Sequence, residues 1–473
     1  MNYDYQLAVI GGGAGGLTVA AGAASFGSSV ALIEQQSEVG GDCLHYGCIP
    51  SKALIQAAGE VNVTAQQAGL TEEQYNYIFK NAMKCVSEAI DDIQSHDSKQ
   101  RFIDMGIDIY QHTARFEDEH TLQVGQEFIT AKRIVIATGS SPTLPSIDGL
   151  DTVPYLTNES IFNLKERPSS LVVIGGGIVG VELSQAMAHL GVKVTILEKS
   201  DHILSNEDTE IAKMAQNILS EDLTVMTRTQ VNQVELAGNQ VCVHFTEGNH
   251  KGTIEASQLL VATGRRANIK SLQLGNAGVD TKEGTIQVDH HLRTNKKHIY
   301  AVGDCNGSMP FTHVAGMEGK TVVSNAVFGL PSKVSYEQVP WVIYTSPEIY
   351  HLGLTELEAK AKYGHELLTF KTLLEDSDRF IAERNTSGIV KVMTKSNGKI
   401  VGAHAFGVGA GEWMQEVGTL QSLNKKFQTL SNVIHPYPAR NNVLSQTADL
   451  YWRDKLFNSK WNHAIRWYVR KFR

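Results

Sequence analysis

Hydrophobic residues occur in short runs, and each run is followed by a glycine-rich turn. The first run, residues 6–10, leads into a glycine cluster and a helix-like segment at 17–26, and a second run, 29–33, ends at Glu34. Short apolar runs bounded by turn residues predict buried strands. The chain therefore begins with a predicted strand–helix–strand unit, which is the building block of α/β proteins.

This unit recurs later in the chain. An apolar run at 171–174 is followed by glycines, a helix-like segment that ends at His189, and a strand-like run at 193–197 that precedes Glu198. Three further apolar runs each end next to a glycine: 133–138, 259–263 and 298–302. The repetition predicts an α/β protein with two similar, Rossmann-like domains.

Both units carry the spacing G-x-G-x-x-G between strand and helix. The glycines are Gly11, Gly13 and Gly16 in the first unit and Gly175, Gly177 and Gly180 in the second. Glycine at these positions lets the backbone approach a pyrophosphate, whose charge the helix N-terminus favours. An acid that can bind a ribose hydroxyl lies 23 residues after the first glycine in each unit, at Glu34 and at Glu198. The sequence therefore predicts two dinucleotide sites.

Two cysteines, Cys43 and Cys48, lie just after the first unit in the run 40–52. An ideal helix would place their side chains about 140° apart with roughly 7.5 Å of axial rise, whereas a disulfide needs Cα atoms within about 7 Å. The backbone must therefore deviate between them, which the neighbouring glycines permit, and a helix can begin near Pro50. The pattern predicts a switchable disulfide rather than a structural cross-link.

Composition excludes several classes of protein. With 473 residues, 42% of them hydrophobic, and a formal net charge of −8, the chain is typical of a globular multi-domain protein without nucleic-acid partners. Five cysteines are too few for a disulfide-stapled secreted protein, and Cys85, Cys242 and Cys305 are predicted to be structural. Because we find neither a signal peptide nor a membrane-spanning run, we expect a cytoplasmic protein.

Two nucleotide sites around one thiol pair indicate electron transfer in series, with a flavin in one site and a nicotinamide in the other. The motif Gly40-Gly41-x-Cys43-x4-Cys48-x-Pro50, together with the doubled glycine motif, resembles the class I pyridine nucleotide–disulfide oxidoreductases. That family includes dihydrolipoyl dehydrogenase, glutathione reductase and mercuric reductase. The resemblance covers essentially the whole chain and implies a homodimer with FAD and NAD as cofactors.

The resemblance also implies a division into three domains. An FAD-binding domain would span 1–149 and be completed by 285–335, and an NAD-binding domain would span 150–284. An α+β dimerisation domain would span 336–473 and end in a basic amphipathic tail. In the family, the C-terminal segment completes the active site of the partner subunit.

Roles for individual residues follow from the same resemblance. Cys48 would be the thiolate against the flavin, Cys43 the outer thiol, and Lys52 would lie near the flavin and pair with Glu182. The implied FAD contacts are Gly11, Gly13, Ala14, Gly15, Gly16, Glu34, Gly41, Lys52, Gly139, Asp304 and Ala315. The implied nicotinamide-nucleotide contacts are Gly175, Gly177, Gly180, Glu198 and Gly264. The acid at Glu198 favours NADH over NADPH, and no metal ligand is predicted.

The implied reaction passes a hydride from NADH through FAD to the Cys43–Cys48 disulfide and on to an acceptor. The mercuric-reductase-like branch is the most similar, but the chain has no cysteine after Cys305 and so lacks the C-terminal cysteine pair of mercuric reductases. We expect the acceptor to be a metal ion, a quinone or a small disulfide. Dihydrolipoyl dehydrogenase is the alternative function.

The segment 433–442 departs from the family pattern, in which a His-Pro pair is followed by Glu five residues after the His. If His435 takes the base position, the partner position holds Arg440, and if Tyr437 takes it, the partner position holds Asn442. We favour the second alignment, and both predict that the His–Glu pair is missing. A tyrosine with a pKa of about 10 is a poor base at neutral pH, which argues against efficient dihydrolipoamide or glutathione turnover.

The C-terminal tail has helical periodicity. Trp461, Ile465, Tyr468 and Phe472 recur at spacings of four, three and four residues, and basic residues surround them. Such spacing places all four side chains on one face of a helix. A basic amphipathic helix either packs on protein or lies on an anionic membrane surface. We predict packing on protein, with peripheral contact at the inner membrane face as the alternative.

Overall fold

The computed structural model describes residues 2–457 and 461–472. The chain divides into two compact units. Unit 1 comprises Met1–Leu197 and Thr229–Tyr336, and unit 2 comprises Glu198–Arg228 and Glu337–Arg473. The finer division into FAD-binding, NAD-binding and dimerisation domains stays a prediction.

Helices contribute to both units. The α-helices are α1 (Ala14–Ser25), α2 (Gly41–His45), α3 (Cys48–Ala68), α4 (Glu72–His96), α5 (Lys99–Asp104), α6 (Ile178–His189), α7 (Thr209–Asp222), α8 (Thr312–Ala326), α9 (Glu356–Tyr363), α10 (Asp378–Ala382), α11 (Ala410–Trp413), α12 (Gln415–Ser422), α13 (Asn442–Phe457) and α14 (Trp461–Phe472). Short 3-10 helices span Ile161–Asn163, Lys270–Leu272, Leu274–Ala277, Gly303–Asn306, Gly364–Glu366, Leu374–Asp376 and Phe427–Asn432.

The strands are β1 (Leu7–Ile10), β2 (Val30–Ile33), β3 (Ile107–Tyr110), β4 (Ala114–Phe116), β5 (Thr121–Val124), β6 (Glu127–Thr130), β7 (Ile134–Ile136), β8 (Ser140–Pro142), β9 (Ser170–Ile174), β10 (Lys193–Leu197), β11 (Thr224–Met226), β12 (Thr229–Ala237), β13 (Gln240–Glu247), β14 (His250–Ala256), β15 (Gln258–Val261), β16 (Arg265–Ala267), β17 (Thr281–Lys282), β18 (Thr285–Ile286), β19 (Ile299–Ala301), β20 (Pro340–Ile343), β21 (Glu348–Gly353), β22 (Leu367–Leu373), β23 (Ile389–Lys395) and β24 (Ile400–Gly407).

A parallel sheet with strand order β19-β7-β1-β2-β3 forms the first layer of unit 1. All residues of β1 are buried, and they alternate between two faces: Ala8 and Ile10 join one core cluster, whereas Leu7 and Val9 join another with Val19 of α1. Burial on both faces explains why the strand is a continuous apolar run. The predicted strand–helix–strand unit is confirmed here.

The second parallel sheet of unit 1 repeats this construction. Strand β9 pairs in parallel with β10 on one side and with β15 on the other, and α6 follows β9 after three glycines. Separately, β12, β13 and β14 form a three-stranded antiparallel sheet. The predicted doubling of the α/β unit is therefore confirmed.

Unit 2 is built on an antiparallel sheet with strand order β20-β21-β24-β23-β22. Large buried side chains pack around it: Tyr350, Phe370, Phe380, Trp413, Phe427 and Tyr451. This arrangement confirms the prediction of a C-terminal α+β fold.

A buried polar network holds the segment 198–228 within unit 2. Glu207 accepts hydrogen bonds from the Trp341 indole at 2.8 Å and from His351 Nδ1 at 2.7 Å. The ammonium of Lys391, which is 1% exposed, lies 2.6 Å from Asp208. Buried charges persist only when they are paired, so these contacts attach the segment firmly to the sheet.

Candidate active site

The two predicted redox cysteines flank a break between two helices. Cys43 lies in the short helix α2, and Cys48 is the first residue of α3. Tyr46 and Gly47 separate the helices, and a Cβ atom on Gly47 would meet the backbone oxygen of Asp42 at 2.9 Å. The predicted departure from regular helix between the cysteines is confirmed.

The two thiols differ in acidity. A hydrogen bond from Cys43 lowers the pKa of Cys48 to about 6, and the Thr312 hydroxyl and Lys52 act in the same direction against the effect of burial. Thr312 Oγ1 lies 3.2 Å from Cys48 Sγ. The hydrogen bond to Cys48, together with burial, raises the pKa of Cys43. Cys48, placed at a helix N-terminus, is therefore the thiol that ionises first.

Lys52 and Glu182 form an ion pair. Lys52 lies one turn into α3, and its Nζ is 2.8 Å from Glu182 Oε2 on α6. The Glu182 side chain is 4% exposed, so it is not a solvated surface glutamate. The structure thus brings together the helix that begins at Cys48 and the helix that follows the second glycine motif.

The first glycine motif forms a cradle that only glycine can supply. A Cβ atom on Gly16 would lie 1.9 Å from the backbone oxygen of Gly11, whose φ of +108° also favours glycine. Gly13 caps α1 without a side chain, which leaves the first backbone N–H groups of the helix for an anion. The buried Glu34 accepts a hydrogen bond from the Gly12 amide at 2.6 Å. These features fit the pyrophosphate and ribose of a dinucleotide.

Other residues predicted to contact FAD lie around this cradle. Gly41 approaches the motif so closely that a Cβ atom on it would meet Gly13 Cα at 2.7 Å. A Cβ atom on Gly15 would lie 3.5 Å from Ala315 Cβ, where α1 packs on α8. Gly139 has a φ of +65° and space beside it for a Cβ atom. Gly41 and Gly15 are thus closely packed against neighbouring atoms, whereas the space beside Gly139 is open.

Arg265, which the sequence analysis missed, connects the redox loop to the segment at Asp304. Arg265 Nη2 lies 3.0 Å from Asp42 Oδ1, and Arg265 Nε donates to Ser140 Oγ at 2.7 Å. Ser140 in turn donates to Asp304. The one sequence signal for Arg265 was its position directly after the Thr-Gly pair at Gly264.

Glu318 is a second functional candidate that the sequence analysis missed. Its fully buried carboxylate accepts hydrogen bonds from the Gly303 amide at 2.6 Å and from the Tyr336 hydroxyl at 2.5 Å. Asn306 and Ser308 donate to the same carboxylate at 3.0 and 2.8 Å. Glu318 therefore fixes the backbone around Asp304. No motif in the sequence distinguished it.

The second glycine motif has the same geometry as the first. A Cβ atom on Gly180 would meet the Gly175 backbone oxygen at 2.1 Å, and Gly177 caps α6 without a side chain. Gly264 has a φ of +135°. Glu198 directly follows β10, and its carboxylate accepts a hydrogen bond from the Ser200 amide at 2.7 Å. The glycines fit a second dinucleotide.

The family's glutamate five residues after the base position is absent, since Arg440 follows His435 and Asn442 follows Tyr437 at that spacing. His435 nevertheless has a carboxylate partner that the sequence did not indicate, because its Nε2 lies 3.0 Å from Glu416 Oε1 on α12. His435 Nδ1 lies 2.9 Å from the Ser445 hydroxyl, so both ring nitrogens have partners within unit 2. Tyr437 is 74% exposed, and its hydroxyl donates to Asp378 at 2.9 Å, which raises the pKa of Tyr437.

The C-terminal tail forms the helix α14, as its periodicity predicted. Trp467, Tyr468 and Phe472 are all more than half exposed. Trp461 and Ile465 were predicted on the same helix face, but their side chains lie outside the described part of the structure. Within the described residues, every helix is too short or too polar to cross a membrane.

Comparison with known families gives two matches. Residues 5–319 match the pyridine nucleotide-disulphide oxidoreductase family, and residues 339–448 match the dimerisation domain of the same family. The chain is 37% identical over 417 residues to a mercuric reductase of Bacillus cereus, covering 87% of this chain and 66% of that protein. It is 35% identical to a mercuric reductase of Streptomyces lividans, covering 95% and 97% of the two chains.

The chain is also similar to a dehydrogenase and to a solved flavoprotein. A dihydrolipoyl dehydrogenase of Bacillus subtilis is 31% identical over 95% of this chain and 98% of that protein. The solved Cu(II) complex of the HOCl-induced flavoprotein disulfide reductase RclA from Escherichia coli has a TM-score of 0.85 and 28% identity, covering 95% of this chain and 100% of that chain. The chain therefore belongs to the pyridine nucleotide-disulphide oxidoreductases, enzymes for which FAD and a pyridine nucleotide are the expected cofactors.

Proposed function

We propose that this chain is an NADH-dependent reductase in which Cys48 and Cys43 pass two electrons to an acceptor. The observation that carries the proposal is the position of the Cys48 thiol, which lies at the start of α3 and 3.2 Å from the Thr312 hydroxyl. Together with a hydrogen bond from Cys43 and the charge of Lys52, these surroundings lower the pKa of Cys48 to about 6 and favour the thiolate at neutral pH. FAD, when bound, supplies the two-electron relay between a nicotinamide and this thiol pair.

The residues around Cys48 hold its negative charge. Thr312 donates a hydrogen bond to the thiolate, and Lys52 adds a positive charge that Glu182 keeps in position. Cys43 keeps its proton at neutral pH because its pKa is raised. Its reaction with an acceptor therefore requires a base, or a metal ion that displaces the proton on binding sulfur.

We assign the two cradles to the two cofactors. FAD would bind at the first glycine motif, with contacts from Gly11, Gly13, Ala14, Gly15, Gly16, Glu34, Gly41, Lys52, Gly139, Asp304 and Ala315. The nicotinamide nucleotide would bind at Gly175, Gly177, Gly180, Glu198 and Gly264. Uncapped helix N-termini at both motifs support this assignment.

We propose NADH as the preferred donor. A carboxylate at Glu198 accepts a hydrogen bond from a ribose hydroxyl but repels a 2′-phosphate. The wild-type enzyme should therefore have a higher kcat/KM for NADH than for NADPH. Glu198→Gln should bring the two kcat/KM values closer together. A wild-type preference for NADPH would contradict the assignment.

For the acceptor we favour a soft metal ion, as in the mercuric reductases. Thiolates bind soft metals strongly, and a metal ion releases the Cys43 proton without a protein base. The identities of 37% and 35% to mercuric reductases support this choice over dihydrolipoyl dehydrogenase, the alternative at 31%. A quinone or a small disulfide are the other candidate acceptors.

Tyr437, rather than His435, is our candidate for the position near the acceptor. His435 has both ring nitrogens engaged by Glu416 and Ser445, whereas Tyr437 is exposed. We further propose a homodimer in which this segment completes the site of the partner subunit. Light scattering of the purified protein tests the dimer, and a fully active monomer on dilution would contradict it.

The central test is NADH oxidation by purified protein with Hg²⁺, Cu²⁺, quinones, glutathione disulfide and lipoamide. Cys43→Ser and Cys48→Ser should each lower turnover with Hg²⁺ by more than about 100-fold. Cys85→Ser is the matched control, since Cys85 is exposed. Efficient oxidation of dihydrolipoamide by NAD⁺ would favour the alternative function, and undiminished turnover in Cys43→Ser would exclude the thiols from the reaction.

A second proposal concerns peripheral contact between α14 and an anionic membrane at the cytoplasmic face. Exposed Trp467 and Tyr468 lie on the same helix as Arg470 and Lys471, a combination that suits a membrane interface. Co-sedimentation with phosphatidylglycerol vesicles should exceed that with phosphatidylcholine vesicles. Arg470→Gln with Lys471→Gln should reduce it, and equal sedimentation with both lipids would indicate packing on protein instead.

A further inference from the structure

The antiparallel sheet β12–β14 of unit 1 carries a cluster of metal-ligating side chains outside the redox machinery. Cys242 Sγ lies 3.8 Å from His244 Nε2, and His244 Nε2 lies 3.1 Å from Glu235 Oε1. One ligand atom from each residue lies within 4.8 Å of the other two. We infer that Glu235, Cys242 and His244 form a binding site for a divalent cation of Zn²⁺ type.

Strand register explains why the three side chains meet. Glu235 on β12 is directly opposite Cys242 on β13, and opposed residues have Cβ atoms about 4.5–5.5 Å apart. Cys242 and His244 are two residues apart on one strand and therefore project from the same face of the sheet. The ligand atoms are thus positioned by two paired strands rather than by a loop.

The spacing of the ligand atoms suits tetrahedral zinc. At tetrahedral angles, Zn–S, Zn–N and Zn–O bonds of about 2.3, 2.05 and 2.1 Å place sulfur and nitrogen about 3.6 Å apart, and nitrogen and oxygen about 3.4 Å apart. The corresponding distances here are 3.8 and 3.1 Å. Each of these two distances therefore differs from its tetrahedral value by about 0.3 Å or less, and the Cys242 sulfur and the Glu235 oxygen lie within 4.8 Å of each other.

The surroundings favour a cation as well. His244 Nδ1 lies 3.0 Å from the Thr253 hydroxyl, which orients the ring so that Nε2 faces the other two ligands, as metal-binding histidines require. Glu255 on β14 is opposite Cys242 and adds a second carboxylate. Cys242 is 6% exposed and the Glu235 side chain is 54% exposed, so water can reach a fourth coordination position from the solvent side.

The ligand set selects the metal class. Thiolate and imidazole together suit Zn²⁺, whereas Mg²⁺ and Ca²⁺ require oxygen ligands. A bound ion would link β12 to β13 across the hairpin and would replace the Cys242 proton by a metal–sulfur bond.

The test is calorimetric titration with Zn²⁺ of the flavin-loaded protein that carries Cys43→Ser and Cys48→Ser, which removes the competing redox thiols. We expect one Zn²⁺ per chain at this site. Adding His244→Gln or Cys242→Ser should weaken that binding by at least about tenfold. Adding His250→Gln or Cys85→Ser, which change an exposed histidine and an exposed cysteine elsewhere, should leave it unchanged.

Thermal melting and flavin absorbance without metal would verify that each variant is folded. If Cys242→Ser does not fold, His244→Gln alone tests the site. The His244 side chain is one-third exposed, so its substitution should leave the fold intact. Unchanged Zn²⁺ affinity in the folded His244→Gln variant would overturn the proposal. An equal loss of affinity in His250→Gln would also overturn it, since binding would then be spread over surface histidines.

Discussion

The ammonium of Lys52 and the carboxylate of Glu182 lie 2.8 Å apart and link the redox helix α3 to the helix of the second glycine motif. The exposure of the two side chains differs, at 33% for Lys52 and 4% for Glu182. A buried carboxylate that loses its partner is costly, whereas a lysine at this exposure can regain water. The pair is therefore asymmetric, and its two halves should respond differently to substitution.

Lys52→Met should destabilise the protein by about 1–2 kcal/mol, because it removes the ammonium that lies 2.8 Å from the buried Glu182 carboxylate. Glu182→Gln should cost less, since the amide still accepts a hydrogen bond from Lys52. Urea unfolding of the three proteins measures the difference. Equal stability of Lys52→Met and wild type would contradict the asymmetry.

Thr312→Val should raise the pKa of Cys48 by about one unit, because the variant loses a hydrogen bond to the thiolate. The rate of iodoacetamide alkylation of Cys48 in the reduced protein, followed against pH, gives that pKa. We expect a midpoint of about 6 in the wild type. Thr312→Ser keeps the hydroxyl and is the matched control, so a similar rise in both variants would contradict this role.

The reduced protein should gain stability with rising pH between about 6 and 8.5. The pKa of Cys48 is lower in the folded state, so its contribution is complete above the ordinary thiol pKa and is lost as pH falls through about 6. Because the pKa of Cys43 is raised in the folded state, this thiol lowers the stability of the protein as pH rises above about 8.5. Urea unfolding under reducing conditions should therefore give maximal stability near that pH, and Cys48→Ser should remove the rise.

Glu318→Ala should release FAD at a lower temperature than in the wild type, because four donors around Gly303 lose one shared acceptor. Each unsatisfied buried donor costs about 1–3 kcal/mol, so we expect a loss of several kcal/mol in stability. Tyr336→Phe removes a single hydrogen bond to Glu318 and should cost about 1 kcal/mol. Flavin fluorescence during heating measures both, and similar release temperatures would contradict the central role of Glu318.

His404 should make the protein less stable as pH falls below 6.5. Burial is the main cause that lowers the pKa of His404 to about 3, and the charges of His351 and Lys391 act in the same direction. The Leu354 carbonyl and Asp208 raise that pKa but do not offset the effect of burial. The unfolded chain therefore binds a proton that the folded chain does not, at about 1.4 kcal/mol per pH unit between pH 6.5 and 3.

His404→Gln should reduce the slope of the unfolding free energy against pH by the equivalent of about one proton, because glutamine does not titrate. Its side-chain amide can still donate a hydrogen bond to the Leu354 carbonyl. Urea unfolding at pH 7.5 and pH 5 measures the slope. His250→Gln, at an exposed histidine, is the control. An unchanged slope in His404→Gln would place the titrating group elsewhere.

Local rules account for what could be predicted at the site. The break between Cys43 and Cys48 follows from helix geometry and nearby glycines. The strands that end at Ile10 and Ile174 follow from short apolar runs before glycine. None of these features depends on a distant part of the chain.

Contacts between distant residues could not be predicted in the same way. The carboxylate for His435 comes from Glu416, 19 residues earlier, rather than from the five-residue spacing that the family pattern suggested. Thr312 approaches Cys48 from 264 residues away. The sequence held no periodicity that joined either pair.

By itself, the sequence determined the doubled nucleotide-binding units, the redox loop and the family, because each depends on backbone conformation over a few neighbouring residues. The family resemblance also implied a Cys48 thiolate and a Lys52–Glu182 pair, but only the tertiary structure decided that Thr312 contacts Cys48, that Glu182 is buried, and that Cys242 and His244 meet Glu235. Those properties arise from burial and from side chains on separate elements, whose distances are set by packing rather than by spacing along the chain.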